Sequence, residues 1–302
     1  MTEGAGSNRW WLRTLVGRTR RLPLYARLMV RHPLEALDHL RARATARTQK
    51  EGLGASGASR ARNETFSWWE CLTVLGRFFG ADATRTAEEP ALMALEDHIS
   101  AAVGRLSAAG AAVPLFYCAD PLFARFCYVA CRLAKPGLVM ETGVAYGLTT
   151  AYVLAALREN DSGVLHSVDL PPVVSGMDRL LGCVIPGELR PRWRLHRGSS
   201  RRVLPRLFRE LGEINVFIHD SDHRYENVAF ELHSAWPFLS PSAVVIADDI
   251  ETSTAWDDWL AQANPKLAGA VQQEGKKGAL FGFAARTTGS ESRESGKSSE
   301  SH

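Results

Sequence analysis

Two stretches of the 302-residue sequence combine acidic residues and histidine at spacings that could do chemistry. Phe217-Ile218-His219-Asp220-Ser221-Asp222-His223 ends an apolar run in Asp-x-Asp-His, and Ile246-Ala247-Asp248-Asp249 ends another in a carboxylate pair. Hard divalent cations take oxygen ligands, and Mg²⁺ usually combines a few carboxylates with water and substrate oxygens. Asp220, Asp248 and Asp249, at the ends of neighbouring strands, could converge on such an ion. Without a counter-ion, carboxylates crowded in this way repel one another. His223, three residues after Asp220, is a candidate general base, since imidazole titrates near neutral pH. Asp222 could equally cap a helix, and a histidine after a strand is often structural; the Asp-x-Asp-His context favours chemistry.

An earlier stretch could hold a nucleotide-like ligand. Leu138-Val139-Met140-Glu141 reads as a strand, the stretch through Gly143 and Gly147 as a turn, and the run from Thr149 as a helix. Glycines admit a ligand close to the backbone, and a helix start offers free N–H donors. The spacing Glu141-x-Gly143-x-x-x-Gly147 is not the G-x-G-x-x-G of a dinucleotide turn, which disfavours a nicotinamide cofactor. A carboxylate at the strand end would repel a pyrophosphate but suits a cationic amino-acid ligand. Asp169 ends the next strand and could accept two hydrogen bonds from a ribose diol; Pro171-Pro172 follows, so no helix starts there for it to cap.

The elements that must position these groups alternate β and α, as a parallel sheet requires. Strands are expected at 138–141, 164–169, 193–196, 214–220 and 243–249, with segments 270–272 and 279–283 forming a terminal antiparallel hairpin around Glu274 to Gly278. Before the sheet, residues 65–112 read as helices with an aromatic stripe (Trp68, Trp69, Phe78, Phe79), and Asp120-Pro121 starts a further helix to Leu133. With Phe116 and Tyr117, these aromatics are expected to roof a substrate pocket. Upstream, apolar residues recur at helical spacing from Trp10 to about Ala46, divided by Pro23 and Pro33, and a Gly/Ser-rich linker spans 51–59. Residues 1–8 and 287–302 are expected to be disordered.

Net charge is +3, yet residues 1–62 carry +9 and the remainder −6. Such an arm could meet a nucleic acid or a membrane surface. Beyond Arg9-Trp10-Trp11 it lacks aromatic-basic interleaving, so a solvated helical extension packed on a neighbouring subunit is preferred, which makes the chain a homo-oligomer. Its deletion is then expected to change oligomeric state or substrate access rather than cofactor affinity. The five cysteines show no C-x-x-C spacing and read as reduced thiols; with no transmembrane run or signal peptide, a cytoplasmic protein is expected.

The ordered set of Glu141-x-Gly143-x-x-x-Gly147, Asp220-x-Asp222-His223-x-Tyr225 and Asp248-Asp249 resembles the class I S-adenosylmethionine (AdoMet) methyltransferases. Within them it is similar to the small-molecule O-methyltransferases, macrocin-type sugar enzymes and, more distantly, catechol O-methyltransferase. The resemblance runs from about 116 to 286 and implies a Rossmann-like α/β sheet, mostly parallel, of seven strands with the terminal hairpin. The chain is expected to divide into a basic arm and linker (1–62), which lies outside the resemblance, a helical cap (63–115), the methyltransferase domain (116–286) and a tail (287–302). By resemblance, Glu141, Gly143 and Gly147 hold the methionine part of AdoMet and Asp169 the ribose, Tyr146 also binds the cofactor, and Ser199 and Ser200 lie near the adenine. Asp220, which also borders the cofactor, would bind Mg²⁺ with Asp248 and Asp249, and His223 would be the base. The implied reaction is Mg²⁺-dependent methylation of a hydroxyl on a sugar or glycosylated natural product, with no nucleic-acid partner. Metal-free N-methyl or other alkyl transfer, and a non-catalytic subunit that docks a partner through its basic helices, are the alternatives. His219 departs from the small or apolar residue expected before the first aspartate.

Overall fold

The computed structural model describes residues 23–49, 64–111, 115, 118–275 and 278–286. The segments expected to be disordered, the 51–59 linker, Phe116 and Tyr117 lie outside the described residues. The chain enters through helix α1 (residues 23–31) and helix α2 (Pro33–Gln49), separated at His32-Pro33 as the prolines require. A two-residue strand β1 (Thr65–Phe66) precedes helices α3 (Trp68–Phe79), α4 (Ala83–Ala87), α5 (Pro90–Ala108) and α6 (Pro121–Ala134). The alternating part follows: β2 (Leu138–Thr142), α7 (Leu148–Glu159), β3 (Val164–Asp169), a short α8 (Met177–Leu180), β4 (Trp193–Arg197), α9 (Ser200–Leu211) and β5 (Ile214–His219). It ends with α10 (Tyr225–Ala235), β6 (Leu239–Ala247), α11 (Ala255–Ala263), β7 (Leu267–Gln272) and β8 (Leu280–Ala285).

Local chemistry sets the helix ends that matter here. Ser67 and Glu70 form a reciprocal capping box at α3, and Gly80 closes that helix in the left-handed region. Asp120 caps α6 by accepting the Leu122 N–H at 2.8 Å, with Pro121 in the first turn. Its other oxygen accepts the Gly275 N–H at 2.6 Å, tying the β7–β8 turn to the start of α6.

The sheet has eight strands in the order β1-β7-β8-β6-β5-β2-β3-β4. The run from β6 through β4 is parallel, while β8 lies antiparallel to both β6 and β7, which is the expected terminal hairpin. The eighth strand is the difference from the sequence reading. Thr65-Phe66, read as the start of a helix, instead pairs in parallel with Ala270-Val271 at the sheet edge. Strand alternation divides the core into two layers. Val139, Ile218 and Ile246 face α3, α5, α6 and α7, whereas Met140, Phe217 and Val245 face α9, α10 and α11. The helices of 68–108 share the first of these layers with the sheet, so the cap and the sheet have one core rather than two. Cys127 and Cys131 lie buried on α6 with free thiols, as packing residues. Because β3 and β5 flank β2 on opposite sides, the chain reverses its winding at the carboxyl ends of β2 and β5, where open α/β sheets form ligand crevices.

Candidate active site

A cavity of about 920 Å³ occupies that crevice. Its wall includes the turn from Thr142 to Tyr146, Thr149, Asp169, the Gly198-Ser199-Ser200 turn, and Asp220 to Asp222. Gly143 has φ of +86°, and a Cβ there would lie 1.9 Å from the Asp220 carbonyl oxygen. The two strand ends can meet only because this residue has no side chain. Gly147 has φ of +92° and caps α7, leaving that helix start without a side-chain cap; a Cβ there would press on Gly182 and Ile185. Asp169 clamps the same turn. One of its oxygens accepts the N–H groups of Val144 at 3.2 Å and Ala145 at 3.1 Å. Burial raises the Asp169 carboxyl to about 6, against the pull of those two donors.

Glu141 is the clearest departure from expectation. The strand continues to Thr142, so alternation turns Glu141 into the layer under α7 rather than into the cavity. It is fully buried, accepts from the hydroxyls of Thr150 (2.9 Å) and Ser167 (2.5 Å), and does not line the cavity. Burial raises its carboxyl to about 8, so near pH 7 it is largely protonated and does not present the anion expected for a cationic ligand. Thr142, one residue on, borders the cavity in its place.

Asp220, His223 and Asp248 come together, each offering a ligand atom within 4.8 Å of the others. Asp220 accepts one hydrogen bond from the Thr149 hydroxyl at 3.2 Å. Burial and then the charge of Asp248 push its carboxyl well above the usual range. Asp248 accepts from the Gln273 amide. Asp249, expected as the third oxygen ligand, is outside this set. The backbone turns through the left-handed region at Asp249 (φ +46°), leaving its carboxylate 3.8 Å from His223 Nε2 and 3.4 Å from the Gln273 amide. Two mutually repelling carboxylates and an imidazole fit a divalent cation, and the imidazole admits Mn²⁺ or Zn²⁺ as readily as Mg²⁺.

Two parts of the site were not anticipated. Glu231 on α10 is fully buried, and its carboxylate accepts from Thr142 Oγ1 (2.6 Å), His219 Nδ1 (2.6 Å), Ser221 Oγ (2.8 Å) and Asn227 Nδ2 (2.9 Å). This one group ties the ends of β2 and β5 to the loop after β5, and it explains His219, whose ring is buried against it. The signal was a carboxylate inside the otherwise apolar stripe Val228, Leu232, Ala235. The second part is the arm. Tyr25, Asp38, His39 and Arg43 from α1 and α2 line the cavity. Asp38 accepts the Ser199 N–H at 2.9 Å and Arg202 Nε at 2.8 Å, and Glu35 pairs with Arg197 at 2.6 Å. The arm therefore packs on its own domain. Helices α1 and α2 supply part of the cavity wall, whereas Trp68, Trp69, Phe78 and Phe79 do not line it. The signal was that Glu35 and Asp38 are the only acids between Gly4 and Lys50.

Residues 140–250 match a family model described as a methyltransferase domain. Comparison with the curated proteins finds no match. Among solved structures, the chain is similar to an O-methyltransferase from Bacillus cereus in complex with S-adenosylhomocysteine, at 17% identity and a TM-score of 0.49, spanning 66% of this chain and 91% of that one. It is similar to TomG from Streptomyces achromogenes, an O-methyltransferase involved in tomaymycin synthesis and solved with AdoMet, at 17% identity and a TM-score of 0.48, spanning 66% and 90%. It is also similar to CalS11, a TDP-rhamnose 3'-O-methyltransferase in calicheamicin biosynthesis, at 18% identity and a TM-score of 0.42, spanning 53% and 76%.

Proposed function

We propose that this chain, in which residues 140–250 form a methyltransferase domain of the class I, AdoMet-dependent fold, methylates a hydroxyl of a small molecule such as a sugar or glycosylated natural product. One observation carries the reading: the glycine turn clamped by Asp169 and the Asp220–His223–Asp248 cluster meet at the wall of a single cavity. When bound, AdoMet supplies an already activated methyl group, and a divalent cation supplies positive charge against the acceptor oxygen. Asp169 would accept hydrogen bonds from the ribose hydroxyls, Gly143, Tyr146 and Gly147 would border the methionine part, and Ser199 and Ser200 the adenine. Asp220 and Asp248 would hold the cation. His223 takes the acceptor's proton at a ring nitrogen, with the Asp249 carboxylate alongside to stabilise the imidazolium. The residues contribute mainly alignment, since the donor needs no further activation.

One observation favours a metal-free transfer, for example to an amine: the Gln273 amide already offsets part of the charge on Asp248 and Asp249. Calorimetry of AdoMet and S-adenosylhomocysteine, with Mg²⁺ and with EDTA, followed by a screen of hydroxylated acceptors, tests both readings. Binding followed by transfer that EDTA abolishes supports the first. Transfer indifferent to EDTA moves the assignment to the second. Binding of neither ligand under either condition overturns both and leaves a non-catalytic subunit.

A further inference from the structure

Helix α2 is built inside out. Its inward stripe is Glu35, Asp38, His39 and Ala42, spaced i, i+3, i+4 and i+7, and both acids are buried against arginines of the sheet domain. Its outward stripe is Leu34, Leu37 and Leu40, with Leu34 56% and Leu40 48% exposed. Helix α1 adds Met29, 50% exposed, and Val30, 84% exposed. A helix packed on a folded domain ordinarily turns its apolar stripe inward. Here two consecutive helices leave large apolar side chains in solvent, and exposed apolar surface concentrated in this way marks an interaction surface.

The surrounding charge selects the partner. Arg27, Arg31, Arg41 and Arg43 are exposed on the same two helices, and no acid of residues 23–44 is exposed, because Glu35 and Asp38 are both turned inward. Beside α1, Arg27, Arg31 and Arg179 border a cleft of about 470 Å³ and have no carboxylate partner among the described residues. Two copies meeting through this face would set arginines against arginines. An anionic bilayer answers both features, taking the apolar side chains at its acyl boundary and the arginines among its phosphates. The preceding sequence continues the composition with Trp10-Trp11 and the arginines at 9, 13, 18, 20 and 21. Tryptophan is enriched at lipid–water interfaces. No helix among the described residues is long and apolar enough to cross a membrane, so the attachment is interfacial.

We infer that the outer face of α1 and α2 docks this protein on an anionic lipid surface. This surface is independent of the methyl-transfer reading, although the same helices wall the cavity and docking would act directly on that wall. The test is co-sedimentation of the full chain with vesicles of phosphatidylcholine alone and of phosphatidylcholine with phosphatidylglycerol. Binding is expected to the second only, and to be released by salt. Leu34→Ser/Leu37→Ser/Leu40→Ser is expected to lose at least about tenfold in apparent partition while keeping its circular dichroism and melting temperature. Arg27→Gln/Arg31→Gln is expected to lose the preference for the anionic vesicles. The inference is overturned if the full chain binds neither vesicle, or if the leucine variant binds as well as the parent. It is equally overturned if light scattering shows a dimer that the leucine substitutions dissociate, since the face would then be a self-interface.

Discussion

Replacing Glu231 tests how the cavity is held. Its carboxylate accepts four hydrogen bonds, from Thr142, His219, Ser221 and Asn227, at a fully buried position. In Glu231→Leu the two hydroxyls can rotate towards other acceptors and the Asn227 amide keeps the Asp222 carbonyl and the Ser221 hydroxyl, but the His219 ring N–H is stranded. A buried donor left unsatisfied costs about 1–3 kcal/mol, and with the lost charge-assisted bonds the variant is expected to lose about 2–4 kcal/mol. For a domain of this size that lowers the melting temperature by roughly 5–10 °C. Glu231→Gln keeps one carbonyl for Thr142 and His219 and gives up mainly the charge, at about 1–2 kcal/mol. Acid titration adds a second readout. Burial alone would raise the Glu231 carboxyl, but the opposing pull of His219 and the hydrogen bonds holds it below its ordinary 4.5. Its contribution to stability is therefore present above about pH 4.5 and is lost as pH falls through the lower folded value. Thermal melts of the three proteins across that range are the assay. If Glu231→Leu melts with the parent, or if Gln and Leu are equally damaging, the hub does not hold the strand ends together.

Three further outcomes follow from the site. Gly143→Ala would place a methyl 1.9 Å from the Asp220 carbonyl at a φ of +86°, and roughly hundredfold weaker AdoMet binding is expected by calorimetry; unchanged affinity would mean that the turn does not border the ligand. Because the Asp169 carboxyl is raised from 3.8 to about 6, the free protein loses stability as pH rises through that window, and a ligand engaging the ionised form recovers it. AdoMet affinity should then rise through about pH 6, and a flat profile from pH 5 to 8 would remove Asp169 from the ribose site. Asp38→Ala strips the Ser199 N–H and Arg202 of their shared acceptor, at about 2 kcal/mol. Faster amide exchange across residues 33–44 and weaker cofactor binding are expected, and parent-like exchange would show that Glu35 alone seats the helix.

The alternating half of the chain was legible because each strand announces itself: β3 was read at 164–169 and is found at those residues, and β2 and β5 were misjudged by a single residue or less. That residue mattered. Placing the strand end at Glu141 rather than Thr142 put the carboxylate on the wrong face, since strand side chains alternate. Asp249 was misplaced for a related reason: two adjacent aspartates cannot point the same way from an extended chain, and sequence does not show the left-handed turn that separates them. The position of the arm was not legible at all. Composition revealed its charge, but its docking depends on two acids meeting Arg197 and Arg202 more than 160 residues away. No local pattern encodes a pairing at that separation.

The buried acids of the crevice show where a cation has most to act on. Glu141 is relieved by protonation and two hydroxyls, Asp169 by two backbone N–H groups, Glu231 by four donors, and Asp38 by an arginine and a backbone N–H. Each has a compensation built from the chain itself, and each kind differs. Asp220 is the exception: one hydroxyl at 3.2 Å faces a carboxylate that burial and the charge of Asp248 push towards its neutral form. Protonation would remove the strain but also the charge. On the proposed reading a cation shared with Asp248 would remove the strain and keep both carboxylates ionised, so this cluster, rather than any other acid in the crevice, is where metal and proton would compete.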